Sequence, residues 1–65
     1  MKNPLTKQQE QLRGKKVNDM TNQELEIWVQ ACDKMENWVD VNKARRSWTK
    51  SRDEAESELE KRTKN

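Results

Sequence analysis

The stretch that decides the fold is residues 20–41, "MTNQELEIWVQACDKMENWVDV". It opens with the pattern of a capping box, in which the Thr21 hydroxyl accepts a hydrogen bond from the backbone N–H of Glu24. The Glu24 side chain can bond back to the backbone N–H of Thr21. Met20 and Leu25 stand at the two positions of the hydrophobic staple that packs across such a cap. The pattern predicts that a helix begins directly after Thr21.

Apolar residues continue from this cap at the three- and four-residue spacing of one helix face. The stripe consists of Leu25, Trp28, Cys32, Met35 and Val39, and it is widened by Ile27, Val29, Ala31 and Trp38. The opposite face is polar, with Glu26, Gln30, Asp33 and Asn37. We therefore predict a first long helix over about 22–39, with its apolar face in the core.

After Asp40 the apolar stripe moves to the other side of the helical projection. Its members are Val41, Ala44, Trp48, Ala55 and Leu59. A bend near 39–42 would fold the chain into a helical hairpin with a second helix over about 41–62 and bring both stripes together. The alternative is one long bent helix, which the charges at the two ends favour through the helix dipole. Burying a tryptophan is worth more than exposed dipole terms of ~0.3–1 kcal/mol, so the hairpin is preferred.

The N-terminal residues predict a short helix or arm. Thr6 and Gln9 have capping-box spacing, and Gly14 is well placed just beyond the end of such a helix. Residues 1–19 are basic and are expected to be a partly flexible arm. With one glycine and one proline, both before residue 15, nothing interrupts the rest of the chain. We predict an all-α single domain that spans residues 1–65.

Composition narrows the function classes. The chain has 65 residues, one cysteine and no histidine, which argues against an internal disulfide, a metal site or a bound cofactor. No histidine, tyrosine or glycine-rich loop is present to support catalysis, so we expect no enzyme and no small-molecule substrate. No apolar run reaches the roughly 20 residues of a membrane span, and one buried thiol suits the cytoplasm.

The charges form blocks along the second predicted helix. Residues 43–52 carry five cations and no acid, whereas residues 53–60 carry five acids and no cation. In a hairpin the basic block would lie beside the acidic first helix, and the acidic block could meet the basic N-terminal arm. Alternatively, the cations would contact the phosphates of a nucleic acid. Arg45 or Arg52 would then stack on Trp48.

Trp48 is the one large apolar side chain between residues 45 and 54. We expect it to anchor the second helix, either by packing on the first helix or by entering a pocket of a partner. The three tryptophans of so small a chain also favour self-association as a homodimer.

Residues 21–33 resemble the third-helix stretch of the Hha family, small modulators that dock on the nucleoid protein H-NS. Thr21 stands where the family has serine, and Glu24, Leu25, Ala31 and Asp33 also match; "PLTK" at residues 4–7 resembles the family's N-terminus. The resemblance implies that Asp33 occupies the place of an acid important for docking on H-NS. This chain lacks the family's extra helix between the two matches.

Together these observations predict a small non-enzymatic protein-binding regulator or inhibitor, of the accessory type encoded by phages and plasmids. The partner is another protein, with a host regulatory or nucleoid protein as one option, or a second copy of the chain. The alternative is a nucleic-acid-binding protein. The candidate interaction residues are Trp28, Asp33, Trp38, Lys43, Arg45, Arg46, Trp48, Lys50 and Arg52.

Overall fold

A computed structural model describes residues 4–63 and contains a short helix followed by a helical hairpin. The elements are α1 (Lys7–Leu12), a 3₁₀ turn (Val17–Asp19), α2 (Asn22–Trp38) and α3 (Asn42–Thr63). The described residues include no strand, so the prediction of an all-α hairpin is confirmed. The chain does not continue as one bent helix, because Val39 is extended (φ −76°, ψ 142°) at the end of α2.

Both predicted capping boxes are present. The Thr21 hydroxyl accepts from the N–H of Glu24 at 3.1 Å, and the Glu24 carboxylate accepts from the N–H of Thr21 at 2.9 Å. Thr6 and Gln9 form the same pair of bonds, at 3.1 and 2.9 Å. Each box satisfies backbone donors that a helix start would leave without a partner. These contacts explain why α1 and α2 begin where the sequence predicts.

The core lies between α2 and α3 and is closed on one side by the N-terminal segment. Its buried members are Leu12, Met20, Leu25, Trp28, Ala31, Cys32 and Ala55. Trp48 of α3 is partly buried and packs against this cluster, with its ring centroid 5.7 Å from that of Trp28 and a tilt of 55°. The two predicted stripes therefore meet, and the tilted tryptophan pair joins the two helices.

The N-terminal segment, from residue 4 onward, is part of the domain. Leu12 is 5% exposed and Gln9 is 4% exposed. Gln9 also accepts a hydrogen bond from Lys34 of α2 at 3.3 Å. Gly14 has φ +86°, a left-handed conformation that glycine adopts without strain and that turns the chain after α1. Residues 1–3 of the predicted arm lie outside the described residues.

Arg62 fastens the far end of α3 to the start of α2. Its guanidinium donates to the carbonyl of Met20 at 2.7 Å and to the Asn22 side chain at 3.0 Å. It also donates to the carbonyls of Val17 and Asn18, both at 3.4 Å, and its Nε donates to Glu58 at 3.0 Å. One side chain therefore holds α3, the 3₁₀ turn and the N-terminus of α2 together.

None of the helices within residues 4–63 is both long enough and apolar enough to cross a membrane.

Candidate interaction surface

The basic half of α3 lies beside the second half of α2, which carries Asp33 and Glu36, in agreement with the predicted contact between the basic block and the acidic first helix. Arg52 is the centre of this contact: its guanidinium lies 2.9 Å from Glu36 and 3.3 Å from Asp33, both on α2. A third carboxylate, Glu56 of α3, lies 3.8 Å away. The Arg52 side chain therefore links α3 to α2 through these ion pairs.

Glu36 has a second partner in the hydroxyl of Thr49, which donates to its other carboxylate oxygen. This hydrogen bond, followed by the one from Arg52 and by the charge of Arg52, lowers the pKa of Glu36 below its ordinary value. Arg45 donates to the carbonyl of Val39 at 3.0 Å, where α2 has just ended. Two of the five cations of the basic block, Arg45 and Arg52, thus serve contacts within the protein.

The other three cations form a row on the outside of α3, which we call the cation row: Lys43, Arg46 and Lys50. All three side chains are exposed, and none forms an ion pair with any residue in the range 4–63. Their spacing of three and four residues places them on one helix face, over a length of about 10 Å. The cation row therefore remains available to a partner.

An apolar surface lies at the closed end of the hairpin. Trp38 is 42% exposed and Val41 is 64% exposed, and they are the exposed large hydrophobic residues of the described chain. They line one shallow depression together with Val39, Asp40 and Ala44. We call Trp38, Val39, Val41 and Ala44 the hairpin-end surface.

The exposure of Trp38 and Val41 corrects the prediction that both belong to the core stripes. Trp38 is the last residue of α2, and Val41 immediately precedes α3. Periodicity assigns a residue to a side of a helix, but it does not tell whether the neighbouring helix extends far enough to cover it. At the closed end of the hairpin neither helix continues, and the two side chains remain accessible.

The other candidate residues have different environments. Trp28 is 8% exposed, and Trp48 packs against it, so both tryptophans contribute to the core. The Asp33 side chain is 60% exposed while it pairs with Arg52. Arg13 lies 5.6 Å from the ring centre of Trp48, where Arg45 or Arg52 was expected. No local pattern of the sequence indicates this contact, because the two residues are distant along the chain.

Two observations bear on metal binding and on the reactivity of the cysteine. Residues 4–63 contain no group of three or more histidine, cysteine or acidic residues arranged to hold a metal ion. Burial raises the pKa of the Cys32 thiol to about 12, so at neutral pH it is protonated and a poor nucleophile.

Comparison of the chain with protein-family models, with curated proteins and with solved structures finds no match. The resemblance to the Hha family therefore stays a hypothesis.

Proposed function

We propose that this chain is a small protein-binding regulator or inhibitor that acts without catalysis, through the hairpin-end surface. The observation that supports it is the distribution of the tryptophans. Trp28 is 8% exposed and Trp48 is partly buried against the core, whereas Trp38 is 42% exposed beside the exposed Val41. Tryptophan is the residue type most enriched among the hot spots of protein interfaces.

The surroundings of this apolar surface also suit a protein partner. Its apolar residues, with the charged Asp40 among those that line the depression, match the usual arrangement of an interface, with an apolar core and a polar rim. A buried free cysteine suits a reducing compartment, so we place this activity in the cytoplasm. The small size of the chain is typical of accessory proteins of phages and plasmids, which remains a prediction by analogy.

Photo-crosslinking in the cells that naturally produce the protein tests this proposal. A benzophenone amino acid at Val41 should form a covalent adduct with one protein of defined mass, and the same group at Lys16 should not. Trp38→Ala, introduced into the protein that carries benzophenone at position 41, should remove the adduct, because loss of a hot spot weakens binding by ~2 kcal/mol or more. Equal adducts from both positions, or none from Val41, would contradict the proposal.

A second candidate function, binding of nucleic acid, is supported by the unpaired cation row. The row is only about 10 Å long, and the exposed acids Asp53 and Glu54 follow it on α3. Three phosphate contacts give a salt slope of roughly −2.7, which is typical of weak nonspecific binding. We therefore rank it second. Titration of a labelled duplex at several salt concentrations checks this: a slope much steeper than −2.7 and affinity tighter than about 10⁻⁶ M would favour nucleic acid.

A further inference from the structure

The outward face of α3 carries a polar row with the repeat of a helix–helix seam. Its members, which we call the α3 seam, follow each other at alternating steps of three and four residues, and all are exposed: Lys43, Arg46, Lys50, Asp53, Ser57 and Glu60. Helix spacing places the row opposite the side of α3 that faces the core, which carries Trp48, Ala55 and Leu59. The row is about 26 Å long. Alternating steps of this kind are the repeat by which two helices pack along a common line.

The order of the charges along this face selects the occupant. The first half of the α3 seam is the cation row, whereas the second half contains two acids, Asp53 and Glu60, and the neutral Ser57. When two copies of α3 lie antiparallel, the first half of each faces the second half of the other. We infer that the α3 seam is the contact of a weak, salt-sensitive homodimer, in which two copies of the chain pair through antiparallel α3 helices.

Antiparallel pairing gives each member of the seam a suitable partner. A twofold axis that crosses α3 between residues 51 and 52 sets these residues of the two copies opposite each other: Lys43 and Glu60, Arg46 and Ser57, Lys50 and Asp53. The first and the last of these are ion pairs, and in the second a serine hydroxyl can accept from a guanidinium. Because the twofold axis repeats every contact, each pair occurs twice.

Other arrangements and other occupants fit this face less well. Parallel pairing would set the cation row of one copy against that of the other, and like charges in an interface are unfavourable. A polyanion such as a nucleic acid would meet the cation row but would be repelled by Asp53, which lines the same shallow depression as Arg46 and Lys50. A second copy complements both halves of the seam and is present wherever the chain is.

The composition of the α3 seam sets the strength of the contact. All its members are polar, so the contact lacks the apolar core of a permanent dimer. Exposed ion pairs are individually weak and are screened by salt. We therefore expect the chain to associate at low salt and high protein concentration and to dissociate as salt is added. The contact uses neither Trp38 nor Val41 and leaves the hairpin-end surface accessible.

Sedimentation equilibrium of the full-length protein, over a range of concentrations, tests the inference by measuring the dissociation constant of the dimer. The unsubstituted chain should dimerise at low salt and should bind itself at least about tenfold more weakly in about 1 M sodium chloride, where the screening length is ~3 Å. Reversal of either charge of the central pair, Lys50→Asp or Asp53→Lys, should weaken the dimer about tenfold or more at low salt, because like charges then face each other.

Mixing the two variants separates a contact between copies from an effect on the fold. Each variant alone has like charges at the central pair, but a mixed dimer of Lys50→Asp with Asp53→Lys has unlike charges at both of its central pairs. The equal mixture should therefore associate at least about tenfold more tightly than either variant alone. The control Lys7→Asp changes the net charge by as much as Lys50→Asp but lies on α1, so it should leave the dissociation constant nearly unchanged.

Several outcomes would overturn the inference. These are a monomer at every concentration in low salt, a dimer that neither salt nor the two charge reversals weaken, or a mixture that associates no better than its components. A dimer that Trp38→Ala abolishes and both reversals leave intact would assign self-association to the hairpin-end surface. A single-stranded oligonucleotide that binds the chain more tightly than a second copy does would assign the cation row to nucleic acid.

Discussion

At the scale of single residues, the three tryptophans show how position decides the role of a side chain. Trp28 and Trp48 hold α2 and α3 together through their tilted rings, whereas Trp38 stands 42% exposed at the end of the hairpin. All three lie on stripes with helical spacing in the sequence. Their different burial follows from where α2 ends and where α3 covers it.

Substitution of the two tryptophans on either side of the bend should therefore have unequal effects. Trp48→Ala removes an aromatic anchor from the core and is expected to lower the free energy of unfolding by roughly 3 kcal/mol or more, enough to unfold much of so small a domain. Trp38→Ala, the matched control, should leave the thermal melt nearly unchanged because much of its side chain is already in water. Circular dichroism melts measure both. Equal losses would contradict the assignment of Trp48 to the core.

The reactivity of Cys32 measures how often the core opens, because its thiol is buried and its pKa is raised to about 12. The native protein should resist alkylation by iodoacetamide at pH 8 and react promptly in denaturant; prompt reaction of the native protein would show that the core opens.

The raised pKa of Cys32 also predicts how stability depends on pH. Between pH 9, which is about the ordinary pKa of a cysteine thiol, and pH 12, the thiol of the unfolded chain loses its proton while the thiol of the folded protein keeps it. Stability should therefore fall as pH rises through this range, and Cys32→Ala should remove that part of the decline.

At the scale of elements, ion pairs and hydrogen bonds set how the two long helices align. Midway along α3, Arg52 pairs with Glu36 and Asp33, and at the open end of the hairpin Arg62 donates to the carbonyls around Met20. These contacts fix one register of α3 along α2. The apolar stripe alone specifies it less well, because alanine occupies two of its four positions in α3.

The contacts of Arg62 can be compared with those of its neighbour Lys61. The Arg62 side chain is 25% exposed and bonds to the start of α2, whereas the Lys61 side chain is 77% exposed. Arg62→Ala should lower the free energy of unfolding by about 1–3 kcal/mol, because the carbonyls lose a charged donor. It should also speed amide exchange in the last turns of α3. Lys61→Ala should change stability by less than about 0.5 kcal/mol; similar effects of the two variants would show that Arg62 adds little.

At the scale of the whole molecule, the N-terminal segment completes a core that the hairpin leaves open. Leu12 and Met20 are both nearly fully buried against residues of the hairpin. Because Trp28 is buried and Trp48 is partly buried within one chain, less apolar surface is left to drive self-association. Within residues 4–63, the large apolar side chains that remain exposed are Trp38 and Val41 of the hairpin-end surface.

Self-association nevertheless remains a prediction from the size and composition of the chain. If the chain forms a dimer, its melting temperature should rise with protein concentration, because folding is then coupled to association. If the hairpin-end surface binds another protein and not a second copy, the melting temperature of the Trp38→Ala variant should still rise with protein concentration. One melting temperature across a hundredfold dilution of the unsubstituted protein would show that the chain is a monomer.

The sequence by itself determined the helices and their connection. Local hydrogen bonds fix the starts of α1 and α2, so Thr6 with Gln9 and Thr21 with Glu24 could be recognised from spacing alone. The change of stripe after Asp40 indicated the bend for a similarly local reason, because a helix presents each residue at a fixed angle.

Only the tertiary structure decided which of these residues a partner can reach. Arg13 and Trp48, or Arg62 and Met20, are 35 and 42 positions apart, and no local pattern announces such contacts. Helical spacing separates Lys43, Arg46 and Lys50 from Arg45 and Arg52 within the basic block. Only the packed hairpin shows that Arg45 bonds to the turn and Arg52 pairs with α2, whereas the cation row forms no ion pair within residues 4–63. The exposure of Trp38 and Val41 likewise depends on where two helices stop covering each other, and that is a property of the packed pair.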